Sequence, residues 1–226
     1  MKSFTLYALA VGFAAVVLSP RGFGQEANEV ALREPHGAAF YIWTPVVPTA
    51  VLTAGTALSF VPELHVYEVS LRDNLQQSTG GKRCHIDNVT QYLPSVSVLG
   101  LNLCGVKSRS SLKRQTLMLA ESYLIGGAVE LSAKHFIDKL RPDGRSYNSF
   151  PSGHTFTAFV GAEMLRLEYG EEYPAIAVAG YAVAMFTGVM RMYNNRHWAG
   201  DVLAGAAIGI LSVQLTDFIN APHRTH

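Results

Sequence analysis

The chain has 226 residues, of which 49% are hydrophobic and only 15% charged, against roughly 25% charged in an ordinary soluble domain. That composition excludes a disordered chain, a coiled coil and a collagen-like repeat, and it leaves a compact exported domain or a membrane protein of modest hydropathy. Eighteen Lys and Arg against 17 Asp and Glu give a net charge of +1, so the basic excess that non-specific nucleic-acid binding requires is missing and no nucleic-acid partner is expected.

Met1-Lys2, an apolar run from Phe4 to Leu18 and the small residues Gly22 and Gly24 have the anatomy of a secretory signal over residues 1–24, with cleavage expected before Gln25. The run is short for a bilayer span, which needs about 20 apolar residues; an uncleaved anchor is the alternative. Both place the working chain outside the cytosol. Residues 25–36 form a polar lead-in. Gly37 to Pro62 holds no charge and is long enough to cross a bilayer, with Pro45 and Pro48 expected to kink it. Glu63 to Asp87 is polar, with a loop signal at Ser78-Thr79-Gly80-Gly81. Asn88 to Val106 is again uncharged but is interrupted by Pro94 and Gly100.

Lys107, Arg109, Lys113 and Arg114 form a basic connector without an acid. Thr116 to Phe136 is helical in composition and encloses Glu121 and Glu130. His154 to Tyr169 starts apolar and then carries Glu163, Arg166 and Glu168 at helix-surface spacing, the pattern of an amphipathic helix. Pro174 to Met190 and Val202 to Leu215 are apolar and rich in Ala and Gly, which suits close helix packing in protein or lipid. No convincing period-2 strand and no repeat appears. The expected architecture is an all-α helical bundle with one domain over residues 37–219 and a polar tail at 220–226. Cys84 and Cys104 lack metal or redox spacing; they either pair in an oxidising compartment or remain buried thiols.

Three short clusters carry chemistry. Lys134-x6-Arg141-Pro142 places two cations seven apart, on one face if the helix persists, as a phosphate clamp or as a solvated basic helix end. Pro151-Ser152-Gly153-His154 opens an apolar helix, where a capping hydroxyl, free amides and an imidazole suit an anion and a leaving group; an ordinary N-cap with a bystander histidine is the plain alternative. Arg191-x5-His197-x3-Asp201 sets His197 and Asp201 at i, i+4, so the carboxylate can fix the tautomer and leave the other ring nitrogen as nucleophile, or the pair is a structural hydrogen bond. Zinc is a weaker fit, since no H-E-x-x-H is present. Ten specified residues in fixed order, each at roughly one in twenty from composition, leave no room for coincidence.

Together these clusters resemble the three-part signature of the type 2 phosphatidic acid phosphatase (PAP2) family, whose superfamily includes bacterial acid phosphatases and vanadium haloperoxidases. The resemblance covers Lys134 to Asp201 and leaves residues 25–110 unspecified. Two features depart from it: Met190 stands where a Ser is usual before Arg191, and the gap from Pro142 to Pro151 is short. The resemblance implies a helical bundle of the PAP2/acid phosphatase type. It also implies His197 as the nucleophile forming a phosphohistidine, Asp201 orienting it, and His154 as acid then base. Lys134, Arg141, Ser152, Gly153 and Arg191 would hold the phosphoryl oxygens. No metal or other cofactor is implied, and vanadate would bind as a phosphate mimic. His135 reads as a helix-surface residue; Arg196 either touches a headgroup or faces solvent.

Catalysis outside the cytosol requires an even number of crossings before Lys134, so two of Gly37–Pro62, Asn88–Val106 and Thr116–Phe136 span, or none does. Spanning by the first and third puts Lys107 to Arg114 in the cytosol, as the positive-inside tendency favours. The expected enzyme is an exported phosphatase of a lipid phosphate monoester or pyrophosphate, in the inner membrane facing the periplasm. The rival readings are a soluble periplasmic acid phosphatase, a vanadate-dependent haloperoxidase and an inactive lipid-binding protein.

Overall fold

The computed structural model describes residues 38–221, so the signal, the lead-in and most of the tail lie outside the described residues. The elements are α1 (Ala38–Trp43), α2 (Val46–Phe60), α3 (Pro62–Thr79), α4 (Asp87–Thr90), α5 (Leu93–Leu103), α6 (Leu112–Phe136), α7 (Gly153–Tyr169), α8 (Pro174–Tyr193) and α9 (Ala199–Ile219). Among the described residues there is no strand, only an isolated bridge between Lys139 and Asn148. The all-α expectation holds.

Helix α7 is the axis of the bundle and packs against α5, α6, α8 and α9. Its Phe156, Val160, Met164 and Leu167 meet Val98, Met118, Leu119, Ile208 and Val213 in the main core. Surface spacing suggested an amphipathic helix, yet Glu163 and Glu168 are buried. Each carboxylate is satisfied inside the bundle, which removes the main cost of burying it. Glu163 accepts two bonds from Arg166, one from Gln214 and one from the Tyr181 hydroxyl. Glu168 accepts from the Ser110 amide and the Gln115 side chain.

Helix α2 crosses α9 at close range because glycines face each other: a Cβ on Gly55 would stand 2.8 Å from the Gly200 carbonyl, and one on Gly200 would stand 2.5 Å from that of Gly55. The chain breaks between α1 and α2 at Thr44-Pro45, whereas Pro48 is absorbed in the first turn of α2.

Among the described residues, three segments are long and apolar enough to cross a membrane: Phe40–Phe60, Pro174–Tyr193 and Ala199–Ile219. This revises the expected set: before Lys134 the described residues offer one candidate crossing, so the even count expected there is not met among them. Asn88–Val106 divides at Gln91–Tyr92 into α4 and an 11-residue α5, too short to span. Helix α6 has the length, at 25 residues, but its charged residues keep it out of that set. Both cysteines are exposed and free, not buried and not paired.

Candidate active site

The three sequence clusters reach the site by separate routes. Helix α6 ends at Phe136, with the Ile137 amide bonded to the Ala133 carbonyl at 2.8 Å. The helix thus ends where its composition ended it, and the condition for Lys134 and Arg141 to share one helical face is not met. Instead the chain doubles back through a turn at Gly144, whose φ of 70° suits glycine. It is held by Ser149 N to Lys139 O at 3.0 Å and Arg141 N to Ser146 O at 2.9 Å. This loop carries Arg141 and Ser149 on its way to Ser152, the N-cap of α7. The third approach is the corner between α8 and α9, where Asn195 has a φ of 56° and His197 precedes the N-cap residue Trp198.

His197 is 3% exposed. Its Nδ1 lies 2.8 Å from the Ser149 carbonyl and 3.6 Å from Asp201 Oδ2. A carbonyl only accepts, so Nδ1 carries the hydrogen and Nε2 keeps its lone pair. Asp201 was expected to make that bond; it is instead the N3 residue of α9 and caps the helix, accepting from the Trp198 amide at 2.9 Å. The Ser149 hydroxyl at 2.5 Å and Lys139 Nζ at 2.9 Å complete its shell. Burial pushes the His197 imidazole down to about 3, with Lys134 and Arg191 adding to the effect and Asp201 opposing it. The resting ring is neutral at pH 7.

The cations converge on this ring. Arg191, buried, is ion-paired with Asp87 and leaves its buried Nε without a partner. Arg141 Nε donates to Asn148 Oδ1 at 3.0 Å. Burial, then the neighbouring Arg196 and Arg191, lowers the Arg141 pKa to about 10, which leaves it charged at pH 7. Lys134 Nζ donates to the Pro151 carbonyl at 2.7 Å and the Asn148 carbonyl at 3.1 Å, and lies 3.4 Å from Glu130.

His154 stands in the first turn of α7 with Nε2 2.9 Å from Asn88 Oδ1. Burial, followed by the charges of Arg191, His197, Arg141 and Lys134, holds its pKa far below the ordinary histidine value. Ser152 is fully buried and its hydroxyl pairs with Thr155 Oγ1 at 2.8 Å rather than capping an amide. At Gly153 a Cβ would stand 2.8 Å from Glu130 Oε1, so only glycine leaves this turn undisturbed. The first-turn amides of α7 lack intrahelical partners and present donors to an anion. His135 is exposed at the end of α6. Arg196, whose side chain is 34% exposed, pairs with Asp143 at 3.1 Å.

Several residues of the site lie outside the three clusters as read. Lys139 is sandwiched between Asp201 and Glu68, 2.9 and 3.4 Å away. Glu68, on α3, also accepts from the Gly200 amide at 2.6 Å and contacts His65 Nδ1 at 2.8 Å. Asp87 and Asn88, adjacent on α4, reach Arg191 and His154. Only Lys139 carried a local signal, as a cation between Lys134 and Arg141. The others come from regions where sequence spacing says nothing about what they touch.

Helices long and apolar enough to span, with two neutral imidazoles and three cations gathered at one end, define an all-helical bundle of membrane type. The PAP2 superfamily model matches residues 115–217, a little under half of the chain. The chain is 46% identical over 156 residues to the lipid A 1-phosphatase of Porphyromonas gingivalis, an alignment covering 66% of this chain and 34% of that protein. The chain thus spans about a third of the length of the curated relative it matches. Among solved structures, the transmembrane PAP2-type phosphatidylglycerolphosphate phosphatase of Bacillus subtilis shares the fold. Its TM-score is 0.59 at 20% identity, over 80% of this chain and 98% of that one.

Proposed function

We propose that the chain is a membrane phosphatase that hydrolyses a lipid phosphate monoester or pyrophosphate on the non-cytosolic face, through a phosphoryl group carried on His197. The observation behind this reading is the Ser149 carbonyl on His197 Nδ1, which leaves Nε2 as a neutral nucleophile among fixed cations. The relative's name makes the 1-phosphate of lipid A the first substrate to try.

In the first step His197 Nε2 attacks phosphorus as the ester P–O bond breaks. The leaving oxygen takes a proton from His154, and a monoanionic substrate supplies that proton on entry. Arg141, Arg191 and Lys134, with the Gly153 amide, receive the equatorial oxygens, where the transition state spreads its charge. Asp201 stabilises the imidazolium that forms at His197. In the second step His154 takes a proton from water, which attacks the phosphohistidine and releases phosphate. No residue in this scheme needs a metal, so a chelator is expected to leave turnover unchanged and vanadate to inhibit it.

The test is phosphate release from a panel of lipid and soluble phosphates by the full chain, with His197→Ala as control and a denaturing alkaline quench of the reaction with a radiolabelled substrate. The expected result is turnover of lipid phosphates with an acid-labile, base-stable phosphoryl-protein that the variant does not form. Turnover by the variant would remove the nucleophile assignment; activity confined to small soluble esters would remove the lipid assignment. Resistance to alkaline carbonate extraction is expected, and release into the soluble fraction would defeat the spanning reading.

A further inference from the structure

A second cation-lined cavity lies at the opposite end of the bundle. It has a volume of about 260 Å3 and is lined by Ser111, Lys113, Arg114, Leu117, Met118 and Asn220. Helix α6 runs from this cavity to Lys134, and α9 runs from Asp201 back to it. At 1.5 Å per residue the 21 residues of α9 measure about 32 Å, close to the hydrocarbon thickness of a bilayer. With α9 taken as a span, the cavity falls at the membrane surface opposite the candidate active site.

Its chemistry is that of a phosphate receptor with an apolar floor. No acid lines it, and neither Lys113 nor Arg114 makes an ion pair with a carboxylate of the described residues. Arg114 Nη2 donates to the Asn220 carbonyl at 3.1 Å, while its buried Nε has no partner. Glu121, the nearest acid placed by a contact, is engaged by the Asn220 side chain at 2.6 Å.

Below the cavity, Leu117, Leu124 and Leu131 are 45%, 72% and 54% exposed. Their seven-residue spacing lines them up along α6. A ligand with one phosphate and a long apolar chain fits head in the cavity and tail on this stripe; a free anion uses only the head site.

We propose that this cavity binds the headgroup phosphate of an anionic phospholipid in the leaflet facing away from the candidate active site. Basic pockets between membrane helices on the cytoplasmic side bind anionic headgroups. The proposal rests on α9 crossing the membrane and not on the phosphatase reading, and its test measures binding alone.

The experiment is native mass spectrometry of the full chain in neutral detergent, titrated with phosphatidylglycerol or with phosphatidylcholine of the same chains. The wild-type protein is expected to hold a phosphatidylglycerol that Lys113→Gln/Arg114→Gln binds about tenfold more weakly. Lys113→Arg/Arg114→Lys should keep that lipid. Lys113→Gln alone, on an exposed side chain, gives a several-fold loss even if Arg114 proves necessary for folding. Equal binding of phosphatidylglycerol by wild-type protein and Lys113→Gln, equal occupancy by phosphatidylcholine, or displacement of the lipid by inorganic phosphate at matching concentration would overturn the proposal.

Discussion

The Ser149 carbonyl lies 2.8 Å from Nδ1 of His197, while Asp201 Oδ2 is 3.6 Å away. The tautomer is thus set by backbone, which side-chain mutation does not delete. In a serine-protease triad, changing the orienting Asp to Asn selects the wrong tautomer and lowers turnover about 10⁴-fold. Here Asp201→Asn is expected to cost less, on the order of 10²-fold, through weaker stabilisation of the imidazolium. His197→Ala should abolish turnover. Steady-state rates for the two variants, with thermal midpoints to show that both fold, make the comparison. An Asp201→Asn enzyme as inactive as His197→Ala would mean that the carboxylate sets the tautomer after all.

Lys139 holds two buried carboxylates apart, Asp201 on α9 and Glu68 on α3. Removing one partner of a buried ion pair leaves an unpaired charge at a cost of about 3 to 5 kcal/mol. Lys139→Met is therefore expected to destabilise the protein on that scale. Glu68→Gln/Lys139→Met should recover part of the loss, because the number of unpaired buried charges falls from two to one. The coupling is read from a double-mutant cycle of unfolding free energies in detergent, and purely additive effects would show that Glu68 and Lys139 act independently.

The helical class and the three signature clusters were legible in the sequence because hydrophobic patterning and local spacing encode them. The apolar runs at Pro174 and Val202 became α8 and α9, and the chain break at Pro45 followed from proline geometry. What failed did so for tertiary reasons. Arg141 is delivered by a backtracking loop pinned at Lys139–Asn148, so a helical-face argument from Lys134 did not apply. Glu163 and Glu168 have surface spacing but are buried, because Arg166, Gln214, Gln115 and a backbone amide satisfy them. Asp87, Asn88 and Glu68 are far from the signature along the chain and reach it only through packing.

Asp87 and Asn194 together hold Arg191 in place: Asp87 accepts from the Arg191 guanidinium and, at 3.0 Å, from Asn194 Nδ2. Asn194 is tied in turn to the Cys84 backbone at 2.7 and 2.9 Å. If Arg191 receives a phosphoryl oxygen, its aim depends on Asp87, since a charge-assisted pair fixes the direction of the guanidinium plane. Asp87→Asn keeps one acceptor oxygen but loses the charge. It is expected to weaken vanadate inhibition and lower kcat/KM by about tenfold, with less effect on the thermal midpoint. Unchanged vanadate affinity in the folded variant would place Arg191 outside the phosphoryl shell.

Burying His197 as a neutral ring couples stability to pH. Its pKa falls from the ordinary 6.5 to about 3, with burial as the main cause. Above 6.5 neither the folded nor the unfolded chain protonates this group, and its full contribution to stability is present. Between 6.5 and about 3 the unfolded chain binds a proton that the folded chain refuses, so stability drops by about 1.4 kcal/mol for each unit of acidification. Below about 3 both states are protonated and the loss levels off. His154, lowered in the same direction, adds a second contribution, so the ligand-free protein should lose thermal midpoint steadily from neutral pH toward pH 5. Replacing His197 by Gln removes one titrating group and should flatten that slope without abolishing it. Bound vanadate should flatten it further in the wild-type protein, because an anion beside the rings favours their protonated forms. A His197→Gln variant with the wild-type slope would show that the acid sensitivity arises elsewhere in the bundle.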